Sequence, residues 1–222
     1  GRSDRPGQHQ ISHPPTHSPD KEGRSVIDFN TVFADHGWWL VSRASGIVAL
    51  VLVTISVGIG LTMASKLARR PGWPKKLTAI HEQTALAGLL AIAVHGITLI
   101  GDQWLHPGVT GVLVPFTMDY RPLWTGMGTI AGMLAMLLGL SFYVRRSVGT
   151  KLWRKAHRAT ILVYFLAIGH TLGAGTDAST VWMKWWLIVT TPPIVMLFLY
   201  RVGSARFKRP ATNRSIPAGV AR

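Results

Sequence analysis

The sequence has no cysteine, and it has few acidic residues for its length. Its 222 residues include 24 lysines and arginines but only 9 aspartates and glutamates, which gives a formal net charge of +15. The missing thiols exclude disulfides, thiolate metal sites and cysteine-ligated iron–sulfur clusters. Only 15% of the residues are charged, 48% are hydrophobic and the mean hydropathy is +0.26. This balance is too apolar for an ordinary soluble domain and favours a membrane protein.

Five apolar runs follow a polar N-terminal segment and predict membrane spans. They are Ala44–Ser65, Leu77–Gly101, Leu123–Val144, Ala159–Gly173 and Val181–Tyr200. Because about 20 apolar residues span a bilayer as a helix, the sequence predicts an all-α integral membrane helical bundle of about five transmembrane helices. The fourth run is short unless its helix starts near Trp153. Pro192 and Pro193 should kink the fifth helix.

The polar segments at both ends complete the predicted domain organisation. Residues 1–37 are rich in proline, serine and histidine without apolar periodicity, which predicts a disordered extracytoplasmic tail. Residues 38–202 form the predicted transmembrane domain. Residues 203–222 form a basic tail that should lie in the cytoplasm.

Basic residues cluster in three segments that contain no acid, namely the first connection, the third connection and the C-terminal tail. The positive-inside rule places these segments in the cytoplasm and the N-terminus outside, in a multi-pass protein of the cell membrane. Topology and contact with anionic lipids of the bilayer therefore account for most of the positive charge. We expect no nucleic acid as a partner.

Four histidines lie within or at the ends of the predicted spans, in two pairs. His81 and His95 are fourteen residues apart in the second run, and His157 and His170 are thirteen apart in the fourth. Both helices should run from the cytoplasm outward, which places His81 level with His157 and His95 level with His170. Each pair then spans about 20 Å along its helix, which is most of the hydrocarbon thickness.

This arrangement is what two stacked b-type haems require, since each iron takes one imidazole from each of two facing helices. A buried ring nitrogen needs a partner, and iron provides one. We therefore expect His81 and His157 to hold an inner haem iron, and His95 and His170 to hold an outer one. With both axial positions filled, the expected chemistry is electron transfer across the bilayer, without a catalytic side chain.

The two spacings do not match on ideal helices. Fourteen residues rotate by a net angle of about 320°, so His81 and His95 nearly share a face, whereas thirteen residues rotate by about 220°. The sequence therefore predicts either a distortion of the fourth helix, for example near Gly169, or haems on different sides of it.

These pairs and the stretch LWRKAHRATILVYFLAIGH (residues 152–170) resemble the ferric reductase-like transmembrane family. The family includes ferric reductases, NADPH oxidases and the haem subunit of the periplasmic methionine sulfoxide reductase. Its haem helices carry histidine pairs at these spacings, and a W-x-x-x-H-R pattern, here Trp153, His157 and Arg158, often opens the second one. The resemblance covers roughly residues 38–202 and implies the cytochrome b subunit of an oxidoreductase.

The resemblance also assigns a role to one arginine, Arg43, and two arginines on the cytoplasmic side are further candidates from their position. SRASG (residues 42–46) looks like the family's entry to the helix before the first haem helix, so Arg43 would pair with an outer haem propionate or shape the acceptor site. A guanidinium fork suits carboxylates, although an arginine at this boundary could also snorkel to lipid headgroups. Arg158 and Arg69 are weaker candidates for the inner haem propionates.

Donor and acceptor stay open at the level of the sequence. No G-x-G-x-x-G loop or nucleotide-binding domain has room after the last run, so electrons should come from a redox partner protein, from quinol or from a loosely bound flavin. The extracytoplasmic acceptor would be ferric iron, a flavoprotein or a reductase domain, or dioxygen in an oxidase-like use. The alternatives are a membrane metal transporter with histidine ligands and an assembly or anchor subunit of a larger membrane complex.

Overall fold

The computed structural model describes residues 29–67 and 70–206, and within these ranges it contains helices and no strand. Eight helices account for 80% of these residues. They are α1 (Phe29–Ala64), α2 (Trp73–Ile100), α3 (Gly108–Leu113), α4 (Pro122–Leu140), α5 (Arg145–Val148), α6 (Thr150–His157), α7 (Thr160–Ala174) and α8 (Val181–Arg206). The predicted all-α membrane bundle is confirmed.

Four of the helices are long and apolar enough to cross a membrane. The qualifying stretches are His36–Ala64, Trp73–Ile100, Pro122–Leu140 and Val181–Ser204. The fourth predicted span appears as α7, whose 15 residues extend only about 22 Å. The described residues therefore include four helices long enough to cross a membrane and one shorter apolar helix, rather than five of equal length.

Two boundaries differ from the sequence-based expectation. Helix α1 begins at Phe29, inside the segment expected to be a tail, and the part of that segment before it lies outside the described residues. Helix α8 extends from Val181 to Arg206, past the predicted end at Tyr200, and the kink expected at Pro192 and Pro193 inside it stays a prediction.

The bundle consists of two closely packed helix pairs, α1 with α2 and α4 with α7, and α8 packs on α1. Small residues let the helices approach one another, as expected in a membrane. Gly88 of α2 lies against Leu52 and Val53 of α1, and a cluster of Ala135, Leu138 and Val163 joins α4 to α7. In the described part of the chain, the backbones of α2 and α7 do not pack closely against each other. Side chains therefore occupy the space between these two helices.

The helical segment that carries His157 and His170 is broken directly after His157. Helix α6 ends at His157, and α7 begins three residues later. Around the break, backbone N–H groups bond to carbonyls three residues earlier, as in Ala159 N to Ala156 O at 2.8 Å and Leu162 N to Ala159 O at 2.9 Å. Such 3₁₀ turns rotate about 120° per residue instead of 100°. The predicted distortion is confirmed, but it lies beside His157 and not near Gly169.

Overwinding at this break corrects the mismatch between the two histidine spacings. Four or five residues in 3₁₀ turns add about 80–100° to the 220° expected for thirteen residues on an ideal helix. The total approaches the 320° expected between His81 and His95. Both histidines of the fourth run can therefore face α2, as the ring contacts described below require.

Candidate functional site

The structure brings the four predicted histidines together in two pairs, which join α2 to His157 at the end of α6 and to His170 in α7. The rings of His81 and His157 have centroids 6.1 Å apart at an interplanar angle of 87°. The rings of His95 and His170 have centroids 6.2 Å apart at 71°. We name these the inner pair and the outer pair. Their pairing matches the predicted levels, because α2 and α7 run in the same direction.

Helix α1 fixes both histidines of α2 through backbone carbonyls. The Nδ1 atom of His95 lies 2.8 Å from the carbonyl oxygen of Ser42, and that of His81 lies 2.9 Å from the carbonyl oxygen of Ser56. Each serine hydroxyl also lies 3.1 Å from the same Nδ1 atom. A ring held in this way by a carbonyl carries its proton on Nδ1 and leaves Nε2 free to bind a metal.

Two glycines of α1 make room for these rings. A Cβ atom on Gly46 would lie 3.0 Å from Nδ1 of His95, and one on Gly60 would lie 3.3 Å from Cε1 of His81. Helix α1 thus carries S-x-x-x-G twice, as SRASG and SVGIG, fourteen residues apart like the histidines themselves. The sequence reasoning missed this repeat because it considered only the arginine in the first copy.

Helix α4 holds His170 in the same manner. The Nδ1 atom of His170 lies 2.9 Å from the carbonyl oxygen of Trp124. Four residues later, a Cβ atom on Gly128 would collide with the His170 imidazole. Three of the four histidines therefore share one arrangement, which is a carbonyl on Nδ1 and a glycine one helical turn further along the neighbouring helix.

The two pairs fit an iron held between imidazoles. Nitrogen–metal distances for histidine are about 2.0–2.1 Å, so two rings on opposite sides of one metal have centroids about 6 Å apart. The measured separations of 6.1 and 6.2 Å agree with this value. Within the described ranges, no group of three or more His, Cys, Asp or Glu side chains could hold a bare metal ion. Haem suits such a two-ligand site, because its macrocycle provides the other four nitrogens.

Arg43 has a protein carboxylate as its partner. Its Nε donates to Oδ2 of Asp177 at 2.6 Å, and its Nη2 atom contacts Oδ1 of the same residue. Its guanidinium also stacks over the ring of Trp39 at 4.9 Å. The Asp177 side chain is only 7% exposed and that of Arg43 is 38% exposed. The role of Arg43 as a partner of a haem propionate stays a prediction. In the structure, its ion pair with Asp177 connects α1 to the segment after α7.

Arg158 and Arg69 are the two further candidates for propionate partners. Arg158 is exposed at the break between α6 and α7. Arg69 lies outside the described residues. Their assignment to the inner haem propionates therefore stays a prediction.

Replacing Arg43 with alanine should destabilise the protein by about 3 kcal/mol, near the low end of the range for breaking a buried ion pair, because Arg43 is half-exposed. The loss arises from the buried Asp177 carboxylate left unpaired. Thermal unfolding in detergent would measure it. Adding Asp177→Asn should recover part of the loss, since it removes that charge, whereas additive effects of the two changes would show that the pair has no such role.

Comparison with known proteins places this geometry in a family. The sequence model of the ferric reductase like transmembrane component matches residues 45–168, which is more than half of the chain. The chain belongs to this family. Membership supports transmembrane electron transfer as the general activity of this ferric reductase-like protein. No curated protein and no solved structure matched the chain.

The matched range of the ferric reductase-like family contains most of the site. His81, His95 and His157 lie inside it, together with Gly46 and Gly128. The match ends just before His170 and begins just after Arg43. The contacts of those two residues are therefore known from the structure and not from the family match.

Proposed function

We propose that the chain is the haem b electron-transfer subunit of an oxidoreductase, with two bis-histidine haems at different depths of the membrane. The observation that carries this proposal is the two imidazole contacts that α2 makes, one with α6 at 6.1 Å and one with α7 at 6.2 Å between ring centroids. When bound, haem supplies one-electron chemistry at each level. The inner pair would hold one iron and the outer pair the other.

The residues around the pairs support a fixed, ligand-saturated site. The carbonyls of Ser42, Ser56 and Trp124 orient three imidazoles, so that little rearrangement is needed for metal binding. His81 and His157 would hold one haem and His95 and His170 the other, and a haem held by two histidines would supply electron transfer rather than the binding and activation of a small ligand. A metal transporter is supported less well, because two imidazoles alone make a poor site for a bare cation.

The distribution of basic residues supports the orientation of the two pairs in the membrane. Exposed lysines and arginines lie beside the inner pair, at the start of α2 and along α5 and α6; they are Lys75, Lys76, Arg146, Lys151, Arg154 and Lys155. By the positive-inside rule this end of the bundle faces the cytoplasm. Electrons would then enter on the cytoplasmic side from a protein, a quinol or a loosely bound flavin. They would leave at the outer pair for ferric iron, a flavoprotein or a reductase domain, with dioxygen as the oxidase-like alternative.

Reconstitution into vesicles tests this function. Vesicles that contain the haem-loaded protein and enclose ferricyanide should show ferricyanide reduction after dithionite is added outside. Vesicles without protein should show only the slow leak. Vesicles with a His95→Ala, His170→Ala double variant should also fall to the leak rate, because one level of the pathway is missing. A rate equal to the leak for the intact, haem-loaded protein would contradict the proposed function.

A further inference from the structure

His157 differs from the other three histidines in how its ring is held. Its Nδ1 atom is buried and has no hydrogen-bond partner among the described residues. The Nδ1 atoms of His81, His95 and His170 each lie within 2.9 Å of a carbonyl oxygen. A buried N–H group without an acceptor is costly, and a metal-binding imidazole usually has such an acceptor. Something else must therefore orient His157.

The end of α4 explains the missing carbonyl. For His170, α4 offers the carbonyl of Trp124 and the small Gly128. Thirteen residues further along, at the spacing of His157 and His170, the corresponding positions are Leu137 and Ser141. Helix α4 ends at Leu140, and the second position is a serine rather than a glycine. The arrangement that holds the other histidines is thus lost where the helix stops.

Trp153 contacts the His157 ring where the other three histidines have a carbonyl and a glycine. Its indole stacks on the His157 ring with centroids 4.9 Å apart and an interplanar angle of 23°. The two residues are four apart on α6, which brings their side chains onto one face of the helix. The indole N–H donates to the hydroxyl of Ser141 at 3.1 Å, and its ring meets Phe142 edge-on at 5.9 Å. Trp153 is therefore held at the end of α4 by these contacts, and its indole stacks on the His157 ring.

We infer that Trp153 is a positioning residue for the inner haem, where ring stacking replaces the hydrogen bond that orients the other ligands, and that His157 is the most easily displaced of the four axial ligands. The inference rests on the proposed function. Stacking restricts the tilt of the ring but gives Nδ1 no acceptor, whereas a hydrogen bond to a carbonyl directs the Nδ1–H group and so aims Nε2. An Nδ1 atom without an acceptor also makes the imidazole a weaker donor to a metal. Both effects act on the inner pair alone.

The test compares Trp153→Leu, which removes the aromatic stack, with Trp153→Phe, which keeps an aromatic ring on His157. Trp104→Leu is the control for loss of a tryptophan, because Trp104 is 74% exposed. The readouts are haem per chain, the low-spin fraction and carbon monoxide binding by the reduced protein. In Trp153→Leu, one of the two haems should lose its six-coordinate spectrum and bind carbon monoxide. The affinity of His157 for the inner haem iron should fall by about 10–100-fold. Added imidazole should restore that spectrum, while Trp153→Phe and Trp104→Leu should resemble the unchanged protein.

A second measurement covers the case in which Trp153→Leu does not fold. The His95→Ala, His170→Ala protein keeps only the inner site, and the His81→Ala, His157→Ala protein keeps only the outer one. Reduced protein with the inner site should bind carbon monoxide at least tenfold faster than reduced protein with the outer site. Equal rates, or an unchanged spectrum in Trp153→Leu, would overturn the inference while the proposed function stands. An absence of haem in the unchanged protein would instead overturn the proposed function.

Discussion

Replacing either His95 or His170 with alanine should remove the same haem. Each variant is expected to lose about half of the haem absorbance per chain, because the outer iron loses one of its two axial ligands while the inner pair is intact. The centroids of the two rings lie 6.2 Å apart, so each of these histidines is the ring partner of the other at the outer level. Haem content and the oxidised and reduced spectra of purified protein measure the effect.

A histidine elsewhere provides the control for these variants. His106 is exposed in the connection after α2 and belongs to neither pair. His106→Ala should therefore keep both haems and both spectra. If His95→Ala and His170→Ala removed spectroscopically different haems, the pairing across α2 and α7 would be wrong.

Replacing a glycine that faces a histidine ring should lower haem binding almost as much as replacing the histidine itself. In Gly128→Ala, the added methyl group would collide with the His170 ring, which must move away from its partner. Overpacking of this kind costs about 1–3 kcal/mol, and a displaced metal ligand lowers affinity by about 10–100-fold. We expect the outer haem to be depleted and the inner haem to be retained, measured as haem per chain at limiting haem supply.

Gly58 is the matched control for this prediction. It lies within α1, and a Cβ atom there would meet nothing within 4 Å. Gly58→Ala should leave both haems in place and favour the helix by up to about 1 kcal/mol, since alanine forms helices better than glycine. Equal haem loss in Gly58→Ala and Gly128→Ala would show that the close packing against His170 is unimportant.

The sequence predicted the histidine pairs well because their placement depends only on spacing and helix direction. His81 and His95 recur at fourteen residues, and two helices that run the same way bring equal levels together. The helical membrane bundle followed from hydropathy for the same reason. These are local properties that a linear pattern contains.

The partners of the histidines were harder to predict, because most of them are backbone atoms. The carbonyl groups that accept from Nδ1, such as those of Ser42 and Trp124, are present in every residue, so the sequence does not show which of them bind a histidine. The repeat of S-x-x-x-G in α1 was visible, and its fourteen-residue period could have identified the glycines. The ion pair of Arg43 with Asp177 joins residues 134 apart, a separation over which no sequence period acts.

The position of the helix break could not be read from the sequence either. Gly169 was the obvious weak point, yet the break follows His157 in a stretch with neither proline nor glycine. The turn there brings His157 into contact with His81 of α2. Tertiary contacts therefore decided the local structure at this point.

The central claim is that each chain holds two haems, one between α2 and the end of α6 and one between α2 and α7, and a quantitative absorption spectrum tests it most directly. Purified protein supplied with haem, measured oxidised and after dithionite reduction, should show a six-coordinate b-type spectrum with close to two haems per chain. The His81→Ala, His95→Ala, His157→Ala, His170→Ala protein should show none. A folded, unchanged protein that binds no haem, or the same amount of haem in both proteins, would contradict the account.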